Sequence, residues 1–146
     1  MFLDEDKPHD ECGVFGIYGP ELNVARYTYY GLYGLQHRGQ ESAGIAVADG
    51  ERIELYKNLG LVSEVFQKDI LKTLKGHIAV GHVRYSTTGS NSVVNAQPLM
   101  LHYLKGTLAI AHNGNLTNAA KLRKALAHNG SVFQSSSDTE IFVNLL

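Results

Sequence analysis

Apolar residues recur along the chain at two periods, and the switches between them mark the elements. Gly13 to Tyr18 is a short apolar run closed by Gly19-Pro20, the form of a buried strand. From Val24 to Gln36 the spacing becomes helical, with Tyr27, Tyr30, Leu32 and Leu35 in phase and Asn23 placed to cap the first turn. Gly31 and Gly34 lower the helix propensity of this segment and are expected to let it pack closely on a sheet. Ala43 to Ala48 and Arg52 to Tyr56 flank Asp49-Gly50, a hairpin signal.

The second half repeats the alternation. Ser63 to Leu74 places Val65, Phe66, Ile70, Leu71 and Leu74 on one side and predicts a single amphipathic helix. His77 to Val83 predicts a strand that runs into Arg84-Tyr85 and then Ser86 to Ser92, small polar residues typical of a binding loop. Leu99 to Tyr103 and Thr107 to Ala111 form a second hairpin across Lys105-Gly106. Thr117 is placed to cap a helix over Asn118 to His128, stopped by Asn129-Gly130. Ser137-Asp138-Thr139-Glu140 has the form of a capping box, and the apolar face begun by Ile141, Phe142, Leu145 and Leu146 reads as a helix cut short. The pattern predicts a mixed α/β fold with mainly antiparallel hairpins.

Composition narrows the function. With 146 residues, 44% of them apolar, the chain holds one domain with a real core. A formal net charge of −1, with no basic stripe and no long apolar run, gives no case for nucleic acid or membrane as partner. His82 and His112 lack acidic or cysteine neighbours at ligand spacing, so no metal site is expected. A single cysteine and the lack of a secretory signal fit a reducing cytoplasm.

That cysteine, Cys12, is either a packed thiol or a reactive one, since it has no disulfide partner within the chain. The residues before it decide the emphasis. Met1 to Glu11 carries five carboxylates and almost no apolar content after Leu3, too little to fold by itself, and reads as a removable leader. Cutting after Glu11 would give Cys12 a free α-amino group. An amine of pKa about 7.7–8.0 is suited to take the thiol proton, so one residue becomes nucleophile and base together.

Four further clusters share this character: Leu35-Gln36-His37-Arg38-Gly39-Gln40-Glu41-Ser42-Ala43-Gly44, His82-Val83-Arg84-Tyr85-Ser86-Thr87-Thr88-Gly89, His112-Asn113-Gly114-Asn115 and Ser136-Ser137-Asp138-Thr139-Glu140. With Cys12-Gly13 they closely resemble, in order and spacing, the class II glutamine amidotransferase domain of the N-terminal nucleophile hydrolase superfamily. The resemblance runs from Cys12 to Leu146. Within that family, Leu35 to Gly44 and the eleven-residue leader are similar to the branch that passes ammonia to a phosphoribosyl acceptor at the start of purine synthesis.

The resemblance implies an α+β fold, a four-layer αββα sandwich truncated at its C-terminus, with residues 1–11 as propeptide and 12–146 as an incomplete amidotransferase domain. It assigns Cys12 as nucleophile, Asn113 and Gly114 to the oxyanion hole, Arg84 to the α-carboxylate of glutamine and Asp138 to its α-amino group. Arg38, Tyr85 and Thr87 are implied as supporting residues. The chemistry agrees: a zwitterion with an amide calls for a cation, an anion and an acyl-transfer centre, and an arginine fork binds a carboxylate bidentately. No cofactor is implied for this chain. Mg2+, and in some members a 4Fe–4S cluster, would belong to a full-length enzyme, as would the phosphoribosyltransferase domain and a homo-oligomeric state. Competing readings are a papain-like arrangement with His112 or His82 as base, an inactive fragment or interaction module that keeps the signature residues, and the glutaminase domain of another class II amidotransferase.

Overall fold

The computed structural model describes residues 12–85 and 92–146; the predicted leader, Thr87 and the Ser86–Asn91 part of the predicted loop lie outside them. Strands β1 (Gly13–Tyr18), β2 (Ser42–Ala48), β3 (Ile53–Leu59) and β4 (Ile78–Arg84) form one antiparallel sheet in the order β1-β4-β2-β3. A hairpin of β5 (Leu99–Tyr103) and β6 (Gly106–Ile110) makes a second, two-stranded sheet. The predicted strands and both hairpins are all present, and the chain is α+β.

Residues facing one another across an antiparallel ladder share a face of the sheet. On one face Ala43, Ile45 and Val47 of β2 stand beside Val83 and Ala79 of β4, all of them buried. Helix α1 (Val24–Gly34) lies across this face and buries Val24, Ala25, Thr28 and Leu32 against it. Asn23 caps α1 as expected, its side chain accepting the N–H of Arg26 at 3.1 Å. Gly31 does permit close packing, since a Cβ there would lie 2.4 Å from the Phe15 ring, whereas Gly34 has nothing within 4 Å and plays no such part.

The predicted helix over Ser63–Leu74 is two: α2 (Val62–Val65) and α3 (Lys68–Thr73). Non-helical backbone at Phe66 and Gln67 separates them, and the break sends Phe66 into the core, edge-on to Tyr56. Helix α4 (Ala119–His128) has Asn118, rather than Thr117, as its N-cap residue. The last helix, α5 (Thr139–Asn144), has Asp138 as its N-cap residue, and the expected capping box is not made. Glu140 instead reaches back to the N–H groups of Gln134 and Ser135, at 2.7 and 2.8 Å. Those donors sit in an irregular, partly buried turn with few main-chain partners, where a carboxylate does more than at a helix end. Among the described residues no helix is long and apolar enough to cross a membrane.

Candidate functional site

The opposite face of the main sheet carries different residues. Val14, His82, Gly44 and Lys57 form one row across its four strands, and Ser42 and Arg84 are partners in the next. Cys12 immediately precedes β1 at the Arg84 end of β4. The N–H of Tyr85 donates to its Sγ at 3.3 Å, and Sγ donates to the Tyr85 carbonyl at 3.5 Å. Among the described residues these main-chain groups, not an imidazole, are the polar partners of the sulfur. That is evidence against the papain-like reading.

Two further groups converge on Cys12 from distant parts of the sequence. Arg38, in the 3-10 turn Gln36–Arg38, donates from Nε to the Cys12 carbonyl at 3.4 Å, and Asn113 donates to the same carbonyl from Nδ2 at 2.5 Å. The turn that presents Arg38 is tied down by Gln36, whose Oε1 accepts the N–H of Val62 at 2.6 Å. Gly114, beside Asn113, has φ +114°, a left-handed conformation that glycine adopts without the steric cost of a side chain. Its N–H is therefore presented by a turn that other residues would strain.

His82 is fully buried. Burial lowers its imidazole from the ordinary 6.5 to about 4, against weaker opposing effects of the His112 main chain and the Asn113 side chain. It is neutral at pH 7, and neither ring nitrogen is within hydrogen-bonding geometry of a partner among the described residues. Nη1 of Arg84 and Oγ of Ser42 are likewise buried without a partner there. Buried polar atoms are nearly always paired, so this concentration on one face is what a site built for a polar ligand would leave.

Asp138 is reached through an irregular turn. Arg123 of α4 donates to the carbonyls of Ser135 and Ser137 at 2.9 and 2.7 Å, with its guanidinium over the Phe133 ring. Oδ2 of Asp138 accepts the N–H of Leu116 at 2.7 Å, and Oδ1 lies 3.8 Å from Nδ1 of His112. Phe142 of α5 packs edge-on against the His112 ring. The expected ammonium acceptor thus already accepts from the main chain at Leu116, two residues past Gly114. Cys12, Arg38, Tyr85 and Asn113 meet in direct contact; Arg84 and Asp138 stand on neighbouring elements, and Thr87 lies outside the described residues.

Sequence reasoning missed the residues that hold these segments, Gln36, Asn95 and Gln97 among them. A faint signal existed: in Val93-Val94-Asn95-Ala96-Gln97-Pro98-Leu99 the two amides sit inside an apolar run, where a polar side chain needs an internal partner.

Comparison with known proteins identifies the family. The family model described as glutamine amidotransferase domain matches residues 68–146. The amidophosphoribosyltransferase of Synechocystis is 57% identical over 137 residues, covering 93% of this chain and 28% of that protein. That of Methanocaldococcus jannaschii is 54% identical over 136 residues, covering 92% and 29%. The glutamine phosphoribosylpyrophosphate amidotransferase of Bacillus subtilis, solved with ADP and GMP, superposes with a TM-score of 0.83 at 51% identity, over 90% of this chain and 28% of that one. The chain therefore spans a little over a quarter of these relatives' length. With half its residues under the family model and this level of identity to such relatives, the chain belongs to the class II glutamine amidotransferase domain family.

Proposed function

We propose that the chain is the glutaminase part of an amidophosphoribosyltransferase, hydrolysing glutamine to glutamate and ammonia through a γ-glutamyl thioester on Cys12. The observation that supports it most is the convergence of Arg38, Tyr85 and Asn113 on Cys12 at the edge of β1. Once Met1–Glu11 is removed, the Cys12 amine takes the Sγ proton and the thiolate attacks the amide carbon. The oxyanion takes up hydrogen bonds from Asn113 Nδ2 and the Gly114 N–H, which requires the Asn113 amide to turn from the Cys12 carbonyl to the substrate oxygen. The amine returns its proton to the departing nitrogen, ammonia leaves, and water cleaves the thioester to glutamate.

In this reading Arg84, whose Nη1 is buried and unpartnered among the described residues, takes the α-carboxylate and Asp138 the α-ammonium. The remaining layers of the αββα sandwich and the phosphoribosyl acceptor site would come from residues beyond this sequence. So would the ligands of any iron–sulfur cluster, since one cysteine cannot supply four thiolates.

Processed chain should hydrolyse glutamine, and chain with an uncleavable leader should not, because only the former has the basic amine. Equal rates in the two forms would overturn the N-terminal mechanism. Glutamine binding without turnover in the processed form would mark a binding module instead.

A further inference from the structure

Between β4 and β5 runs a buried stretch, Asn95-Ala96-Gln97, whose three residues are 5%, 0% and 8% exposed. Two of them are uncharged amides, and each gives its side-chain carbonyl to a segment bearing a candidate site residue. Gln97 Oε1 accepts the N–H of His112 at 2.7 Å, one residue before Asn113. Asn95 Oδ1 accepts both the N–H and the hydroxyl of Ser136, each at 3.1 Å, two residues before Asp138.

The stretch is itself fastened to the main sheet. Nζ of Lys57 donates to the Ala96 carbonyl at 2.6 Å. The carbonyl oxygen of Gln97 lies against Gly44, where a Cβ would come within 2.1 Å of it. Gly44 pairs with Lys57 on one side and with His82 on the other, so both anchors fall in a single row of the site face.

We infer that Asn95 and Gln97 are positioning residues for the glutaminase reaction. Their amides set the distance between the Asn113–Gly114 segment and Asp138, and hold both over the sheet, at one end of which stand Cys12 and Arg84. The inference rests on the roles proposed above for Asn113 and Asp138. Acceptors of this kind act by geometry alone, and a misplacement of about 1 Å can cost about a hundredfold in rate. Because the two side chains grip different segments, their losses separate. Gln97 supports the group that meets charge only in the transition state; Asn95 supports the one that meets a charge already present on the substrate.

The test combines glutaminase kinetics with amide hydrogen exchange. Gln97→Met, which keeps the volume and removes the acceptor, is expected to lower kcat by about tenfold or more with KM nearly unchanged. Asn95→Leu is expected to raise KM for glutamine by a similar factor with kcat nearly unchanged. Gln97→Glu and Asn95→Asp, which keep an acceptor oxygen, recover most of each loss. In exchange, Gln97→Met exposes the His112 amide and spares Ser136, and Asn95→Leu does the reverse. Parallel changes in kcat and KM, with protection lost evenly along the chain, would reduce both residues to general packing and overturn the inference. Should the wild-type chain show no glutaminase activity, the proposed function fails, and the exchange pattern decides by itself whether the two amides hold the His112 and Ser136 segments: selective loss upholds that part of the inference and uniform loss refutes it.

Discussion

On the helix side of the main sheet, Ile45, Val47, Ala79 and Val83 are closed over by Leu32, Val24 and Phe66. On the other side of the same strands stand Ser42, His82 and Arg84, each with a buried polar atom unpartnered among the described residues, beneath segments held by long-range hydrogen bonds. The difference shows how one antiparallel sheet serves two ends. Alternation along a strand lets the hydrocarbon face stabilise the fold by removing apolar surface from water. The same alternation points polar groups the other way, where their unmet hydrogen-bonding capacity is held ready for a ligand.

The sharpest way to break the comparison is to damage each face and see which property falls. Leu32→Ala empties a fully buried position under α1 and should destabilise the chain by about 2–5 kcal/mol in denaturant unfolding, with KM for glutamine in the surviving folded fraction little changed. A comparable rise in KM would show that the two faces are not independent. On the site face, Asn113→Ala should slow kcat by a factor equivalent to about 2.7–4 kcal/mol while leaving the unfolding midpoint nearly in place. Arg84→Ala should instead raise KM, since it meets a charge present before the reaction starts. If Asn113→Ala altered KM alone, the oxyanion role would be wrong.

The third test asks what the polar face costs in stability. His82 titrates near 4 when folded and near 6.5 when unfolded, so below pH 6.5 the unfolded chain binds the additional proton. Its contribution to stability is complete above about pH 6.5, is lost as pH falls toward 4, and levels off below that, amounting to about 3 kcal/mol. Urea unfolding from pH 7.5 to 4 should show this slope, and His82→Gln should flatten it. An unchanged slope in the variant would place the acid sensitivity elsewhere.

Much of this was legible from the residues alone. Strands β1, β2 and β4, both hairpins, and helices α1 and α4 follow from hydrophobic period and turn residues, because those signals lie within a few positions of one another. Cys12 stands out by its place after the leader, whereas Arg38, Tyr85 and Asn113 are singled out through the family resemblance carried by their short strings, and the structure gathers all four.

What periodicity could not supply was decided by contacts distant in sequence. The break between α2 and α3 arises because burying Phe66 against Tyr56 outweighs a continuous helix of modest propensity. The capping box at Ser137 failed because Glu140 found better donors in the turn before it. Nor could the sequence show that Asp138 would accept from Leu116, or that Asn95 and Gln97 would bind residues 41 and 15 positions away. A strand or helix is specified by neighbours along the chain, whereas a buried amide's partner exists only once the chain has folded back upon it.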